Sequence, residues 1–143
     1  MIGHNIETVE RLTPNVRDRR STYRQSLSVL KAVKRMNPNI YTKSSIMLGL
    51  GEAEEEVFRS FSDLREAGVD MLTIGQYLRP SEWHIPVLEY VPPKKFERYR
   101  GLAQERGFLY TASGPLVRSS YRAGEFFIEA LTRRKREMMA DVR

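Results

Sequence analysis

The stretch Ser45-Ile46-Met47-Leu48-Gly49-Leu50 decides the fold of this 143-residue chain. Its side chains are apolar at nearly every position, which is typical of a parallel strand that is buried on both faces. The strand pattern begins near Ile40, and the turn Gly49-Leu50-Gly51 leads from it into a helix. A strand followed directly by a helix predicts a parallel sheet with right-handed crossovers.

Helices and strands alternate on both sides of this strand. Before it, Ser21-Thr22 caps a predicted helix whose apolar residues recur at helical spacing: Tyr23, Leu27, Leu30, Val33 and Met36. After it, glutamates crowd the first turn of a second helix, where the helix dipole favours negative charge, and Gly68 is its predicted C-cap. Residues 69–75 then predict a second buried strand.

The two ends of the chain are less regular. A long loop runs from Leu78 to Pro93, which opens a helix closed by Gly107; residues 108–112 predict a short strand and residues 123–140 a last amphipathic helix. Near the amino terminus, residues 8–14 predict a short turn or helix closed by Pro14. We therefore divide the chain into an α/β unit over residues 1–123 and a basic helical tail over residues 124–143.

Two or three parallel strands cannot close on themselves, so this order predicts the carboxy-terminal part of a partial (β/α) barrel of the TIM type, cut after an early strand. His4-Asn5 would then follow a strand that has just ended. Chemistry in such barrels takes place at the carboxyl ends of the strands. The pattern thus places Asn5, Glu7, Gly49 to Glu52 and Gln76-Tyr77 on one rim.

Composition limits the chemistry of the chain. It has no cysteine and two histidines, which excludes a disulfide or a thiolate-held cluster made by this chain alone and disfavours a self-contained zinc site. The net charge of +6 favours an acidic partner, although it also fits a solvated surface. Apolar runs fall short of the ~20 residues of a membrane span, and the spacing of aromatic residues does not suit base stacking. We predict neither membrane nor nucleic-acid binding and expect a cytoplasmic location, because the first residues lack a signal-like leader.

Each rim residue also has a purely structural interpretation. Asn5 fits a cap as well as hydroxyl recognition together with Glu7, and Lys43 fits a surface charge as well as a salt bridge to a substrate carboxylate. Gly49 to Glu52 fit an ordinary turn as well as close approach of a ligand. Gln76-Tyr77 fit either loop structure or ligand contact.

The run Arg118-Ser119-Ser120-Tyr121 lies between a Gly-Pro turn and the last predicted helix. On propensity, one of its serines is an N-cap for that helix. A serine oxygen can also ligate iron, although this is rare. The residues alone leave both interpretations open.

Taken together, four motifs resemble lipoyl synthases in their order and approximate spacing. These are residues 4–9, 42–52, 70–80 and 114–121. The resemblance extends from His4 to about Ala123, and it implies a radical S-adenosylmethionine enzyme on a partial (β/α) barrel. Such enzymes use S-adenosylmethionine and two 4Fe-4S clusters, one of which is dismantled to supply two sulfurs to a protein-bound octanoyl chain. The implied partners are octanoylated carriers, namely acidic lipoyl domains and the glycine-cleavage H protein.

The resemblance also implies roles for individual residues. Ser120, with Ser119 as the alternative, would be a ligand of the auxiliary cluster, and Arg118 would orient the tail that bears it. Cofactor contacts are implied for Asn5, Glu7, Lys43, Gly49, Gly51, Glu52, Gln76 and Tyr77. Asn5 and Glu7 match the segment near the ribose of S-adenosylmethionine; Lys43, Gln76 and Tyr77 have less defined roles on the same rim.

The chain departs from the family in one respect. Lipoyl synthases hold their clusters with cysteines of the amino-terminal half, whereas this chain has none. We therefore expect it to be inactive without a cysteine-bearing half. The alternatives are a non-catalytic module that binds an acidic protein, or another sulfur-inserting enzyme of the radical S-adenosylmethionine class; the Arg118–Tyr121 run argues against the latter.

Overall fold

The computed structural model describes residues 1–118 and 123–141, with the side chains of 1–118 and 131–141. Four strands and five α-helices follow one another in these ranges. The strands are β1 (Ile2–Gly3), β2 (Thr42–Leu48), β3 (Met71–Gln76) and β4 (Tyr110–Ser113). The helices are α1 (Thr13–Val16), α2 (Tyr23–Met36), α3 (Glu54–Glu66), α4 (Pro93–Glu105) and α5 (Ala123–Asp141).

The strands form one parallel sheet in the order β1-β2-β3-β4. Ser45 pairs with Thr73 across β2 and β3, and Glu7 adds a further parallel bridge to Ile46 beyond the end of β1. Each strand lies next to its neighbour in sequence, as in a sector of a (β/α) barrel. The predicted α/β class and its parallel sheet are confirmed, whereas the boundary between residues 123 and 124 stays a prediction.

The core lies between the sheet and the helices. Ile46, Leu48, Leu72 and Ile74 are fully buried on the helix-facing side. Phe61 of α3 meets the rings of Tyr99 and Phe108 edge-on, with both pairs of centroids 6.2 Å apart. Successive strand residues alternate in direction, so Lys43, Ser45 and Thr73 face the other side, which would be the interior of a complete barrel. There, the Thr73 hydroxyl donates to Ser45 Oγ over 2.7 Å.

Two local predictions differ from the structure. Pro14 lies in the first turn of α1 and opens that helix instead of closing it, because its missing N–H costs nothing there. Met36, predicted to lie on the apolar stripe of α2, is 86 % exposed at the last turn. The strand expected to end just before His4 is present as β1, although it has only two residues.

His4, which follows β1, is linked to α2 by a hydrogen bond. Its Nε2 lies 3.0 Å from Ser26 Oγ, which also accepts a hydrogen bond of 2.7 Å from the Arg17 guanidinium. With Arg17 donating to the serine oxygen, the neutral imidazole is left to accept the serine hydroxyl proton. Burial lowers the pKa of His4 below its ordinary value of 6.5, and the positive charge of Arg17 lowers it further.

Acidification should weaken the fold through His4. Because its pKa is lowered in the folded chain, the unfolded chain binds the proton first, so stability present above pH ~6.5 is lost as pH falls towards the folded pKa. Urea denaturation at pH of about 7.5 and about 5.5 measures this loss, and His4→Gln should reduce it. The control is His84→Gln at the other, exposed histidine; an equal reduction in that variant would contradict the assignment.

Candidate functional site

The carboxyl ends of the strands form a rim with a small cavity. We call this space, of about 190 Å³, the rim cavity. It is lined by Glu7, Ser45, Ile46, Met47, Gly75, Gln76, Leu78, Val117 and Arg118. The structure thus brings two of the predicted site residues, Glu7 and Gln76, to one space, and Asn5 lies half-buried two residues before Glu7.

Glu7 adopts a strained backbone conformation at this cavity. Its φ of 70° lies in the left-handed region, which is uncommon for a residue other than glycine. Two backbone hydrogen bonds hold it there: Glu7 N donates to Ser45 O over 3.1 Å, and Met47 N donates to Glu7 O over 2.8 Å. Such a conformation persists only where the surrounding structure enforces it. Residues strained in this way are concentrated at binding and active sites.

Backbone amides of the turn after β2 bind a carboxylate of the protein itself. Gly49 and Gly51 both have positive φ, and successive amides in such a turn can bind a carboxylate or phosphate. Here the Glu52 carboxylate accepts from Gly49 N at 2.8 Å and from Leu50 N at 3.0 Å. Burial raises the pKa of Glu52, and these two amides partly offset that shift. The amides that a ligand would use are therefore occupied by the protein.

Gln76 and Tyr77 hold the loop between β3 and α4, residues 77–92, which we call the rim loop. Gln76 Nε2 donates to Tyr77 O and Glu89 O, and its Oε1 accepts from Val91 N at 2.9 Å. The Tyr77 hydroxyl donates to Ile85 O over 2.7 Å. Both side chains are almost fully buried, so their polar groups are directed at the loop backbone.

The anchored rim loop presents large apolar side chains to solvent. Trp83 is 96 % exposed, Tyr90 74 % and Leu88 65 %. Gly49 O accepts from Leu88 N at 2.9 Å, which fixes the loop to the end of β2 as well. The sequence indicated a long loop but gave no sign that it is held by side chains expected to contact a cofactor.

Lys43 lies away from this rim. It is the second residue of β2, and Met47, which lines the rim cavity, is four residues further along the strand, or ~13 Å. The expectation that Lys43 shares the rim is wrong, and so is its interpretation as a surface charge, because it is only 6 % exposed. Burial lowers the pKa of its amine. A contact between Lys43 and a ligand stays a prediction.

The predicted cluster ligand Ser120, with its alternative Ser119, lies outside the described residues. The chain can be followed to Arg118, whose guanidinium donates to Val117 O over 3.0 Å. Among the described side chains, those of residues 1–118 and 131–141, no group of three histidine, cysteine, aspartate or glutamate residues could hold a metal ion. None of the helices in the described part of the chain is long and apolar enough to cross a membrane.

The parallel sheet and its helices place the chain in the class of (β/α) barrel folds. In that class, ligand sites lie at the carboxyl ends of the strands, where polar residues are found here. Proteins named mitochondrial lipoyl synthase match nearly the whole chain. It is 61% identical over 142 residues to that of Drosophila sechellia, covering 98% of this chain and 38% of the relative. The protein of Drosophila melanogaster is 60% identical over 139 residues (97% and 37%), and that of Aedes aegypti 59% over 135 residues (94% and 34%). The chain belongs to the lipoyl synthase family and matches its carboxy-terminal part.

This chain therefore spans less than two fifths of the length of these relatives. None of the family models searched matches it. The names of the relatives also correct one expectation. A cytoplasmic location is wrong, because these relatives are named as mitochondrial proteins.

Replacement of Gly49 by alanine tests how tightly the rim is packed. A Cβ at Gly49 would overlap Glu89 O and Gln76 Nε2, and φ is +98°, so Gly49→Ala should destabilise the chain by about 2–5 kcal/mol. The matched control is Gly101→Ala at an exposed position of α4, where a Cβ meets no described residue within 4 Å and should stabilise the chain by ~0.5–1 kcal/mol. Urea denaturation measures both changes; a loss below about 1 kcal/mol for Gly49→Ala would refute the packing argument.

Proposed function

We propose that this chain is the carboxy-terminal part of a mitochondrial lipoyl synthase, which inserts two sulfurs into an octanoyl group on a carrier protein. The observation that carries the proposal is its identity of 61% over 98% of the chain to a protein of that name. The motifs of the rim and of residues 114–121 agree with it. A non-catalytic module for an acidic protein is not favoured, because the relatives bear the name of an enzyme.

The rim cavity fits one wall of a site for S-adenosylmethionine. Glu7 lines it, and a carboxylate is an acceptor for hydroxyl groups such as those of a ribose, with Asn5 close by in sequence. Its volume of about 190 Å³ is below the ~300–1,000 Å³ of complete ligand pockets, as expected where another part of the protein supplies the rest. Gly49, Gly51, Glu52, Gln76 and Tyr77 support this wall by fixing the turn and the rim loop.

The two 4Fe-4S clusters would supply radical chemistry and sulfur. This chain has no cysteine, so their thiolates must come from another part of the protein, and the chain is inactive without it. It does fit a single-ligand contribution to the auxiliary cluster. The turn after β4 brings Val117 and Arg118 to the lining of the rim cavity, and Ser119-Ser120 follow directly in sequence.

The carrier protein is the proposed partner. The lipoyl domains and the H protein that carry the octanoyl group are acidic, and this chain has a net charge of +6. Part of that charge lies on the exposed end of α5, which includes Lys135 and Arg136. Opposite charge on two partners accelerates their encounter and favours the correct pair.

The serine assignment is tested in the chain assembled with its cysteine-bearing half. Ser120→Ala should lower lipoylation of an octanoylated carrier by more than the ~10–100-fold typical of a group that only supports a metal ligand. Ser119→Ala is the matched control and should have a smaller effect. A larger loss with Ser119→Ala would reverse the assignment, and full cluster loading without any sulfur insertion by the unaltered protein would refute the proposed function.

Two substitutions of Glu7 test its role in ligand binding separately from its effect on the stability of the chain. Glu7→Gln keeps the shape but removes the charge, and Glu7→Gly removes the side chain while relieving ~1 kcal/mol of strain at φ 70°. We expect both to weaken S-adenosylmethionine binding in the assembled protein, measured by calorimetry, and Glu7→Gly to be at least as stable as the unaltered chain. Unchanged affinity in both variants would remove Glu7 from the site.

A further inference from the structure

A tight turn brings the chain from β4 back over the end of β3. Gly114 N donates to Ile74 O over 3.0 Å, and Val117 N donates to Gly114 O over 3.2 Å, which closes the turn. We call residues 114–117 the rim turn. Pro115 occupies its second position, where the fixed φ of proline suits such a turn. The direction of the chain after β4 is thus set by one hydrogen bond to β3, one hydrogen bond within the turn, and one proline.

The rim turn rests directly on Gly75. A Cβ built on Gly75 would overlap the carbonyl oxygen of Val117 and lie 3.3 Å from its carbonyl carbon. Gly75 is buried in β3 and pairs with Met47 of β2, and its φ lies outside the left-handed region. Alanine would therefore suit the strand itself, so the constraint on this position comes from the returning backbone.

The contact lies at the edge of the rim cavity. Gly75, Val117 and Arg118 all line that cavity together with Glu7. A methyl group at Gly75 would push Val117 away from the sheet and displace Arg118, which follows it in the chain. Arg118 does not anchor this segment to the sheet through these bonds. Its guanidinium donates to Val117 O and to Pro115 O, which belong to the same segment.

We propose that Gly75 is a positioning residue for the Ser119-Ser120 motif. The bare Cα of Gly75 admits the Val117 backbone, and this contact fixes the position of Val117 and Arg118, which directly precede the motif in sequence. The inference rests on the proposed function of Ser120 for its consequence, although the contact itself is independent of any cofactor.

The experiment compares Gly75→Ala with Gly114→Ala in the chain assembled with its cysteine-bearing half. Gly114→Ala is the matched control, because a Cβ there would meet, among the described residues, only the Val117 Cγ2 atom at 3.6 Å, an ordinary contact. Hydrogen exchange at the amides of Gly114 and Val117 reports whether the rim turn is in place. Mössbauer spectra report the ligation of the auxiliary cluster, and a lipoylation assay reports turnover.

Gly75→Ala should accelerate exchange at Val117 by about tenfold or more, alter the cluster spectrum and lower turnover. Gly114→Ala should leave all three close to those of the unaltered protein. Exchange that is unchanged in Gly75→Ala, or raised equally by Gly114→Ala, would overturn the inference. So would accelerated exchange with an unchanged spectrum, because Gly75 would then have only a structural role.

Ser120→Ala distinguishes this inference from the proposed function. It should alter the cluster spectrum while leaving exchange at Gly114 and Val117 unchanged. If Ser120→Ala and Ser119→Ala both leave the spectrum unaltered, the proposed role of the serines fails, while the exchange data still decide whether Gly75 holds the rim turn.

Discussion

The close approach of Gly49 to Gln76 and to the carbonyl of Glu89 is the constraint on which the rest of the rim depends. At this point the ends of β2 and β3 and the rim loop meet within hydrogen-bonding distance of one another. Gly49 O accepts from Leu88 N, and Gln76 reaches past it to Glu89 and Val91. Any side chain at Gly49 would separate these segments, so glycine is required by space as well as by its left-handed φ.

This constraint divides the polar groups of the rim into two kinds. The first kind, represented by Gln76, Tyr77 and Glu52, has its hydrogen-bonding capacity directed at the protein's own backbone. Glu7 represents the second kind, since it is one of the residues that line the rim cavity. A binding site needs both, because the groups that contact a ligand are precise only when supporting residues fix the backbone beneath them.

The fold was predictable from the sequence because its signals are local. The apolar run of β2, the Thr22 cap of α2 and Pro93 at the start of α4 each act on their own neighbourhood. The rim was predictable only as a location, since the carboxyl ends of parallel strands share an edge. Which polar group binds which partner depends on contacts between distant residues: a glutamine at the end of a strand has no local feature showing that it will hold residues 89 and 91. For the same reason the burial of Lys43 and the contact of Gly75 with Val117 could not be foreseen.

The glutamate that closes the turn after β2 can be regarded as a tethered ligand. Its carboxylate is attached only two or three residues from the amides that it occupies, so it remains at a high effective concentration whatever the solution contains. A free phosphate or carboxylate at cellular concentration competes poorly with such a partner. The turn is thus insulated from free anions in solution, and contacts to any other molecule at the rim are left to groups that have no internal competitor.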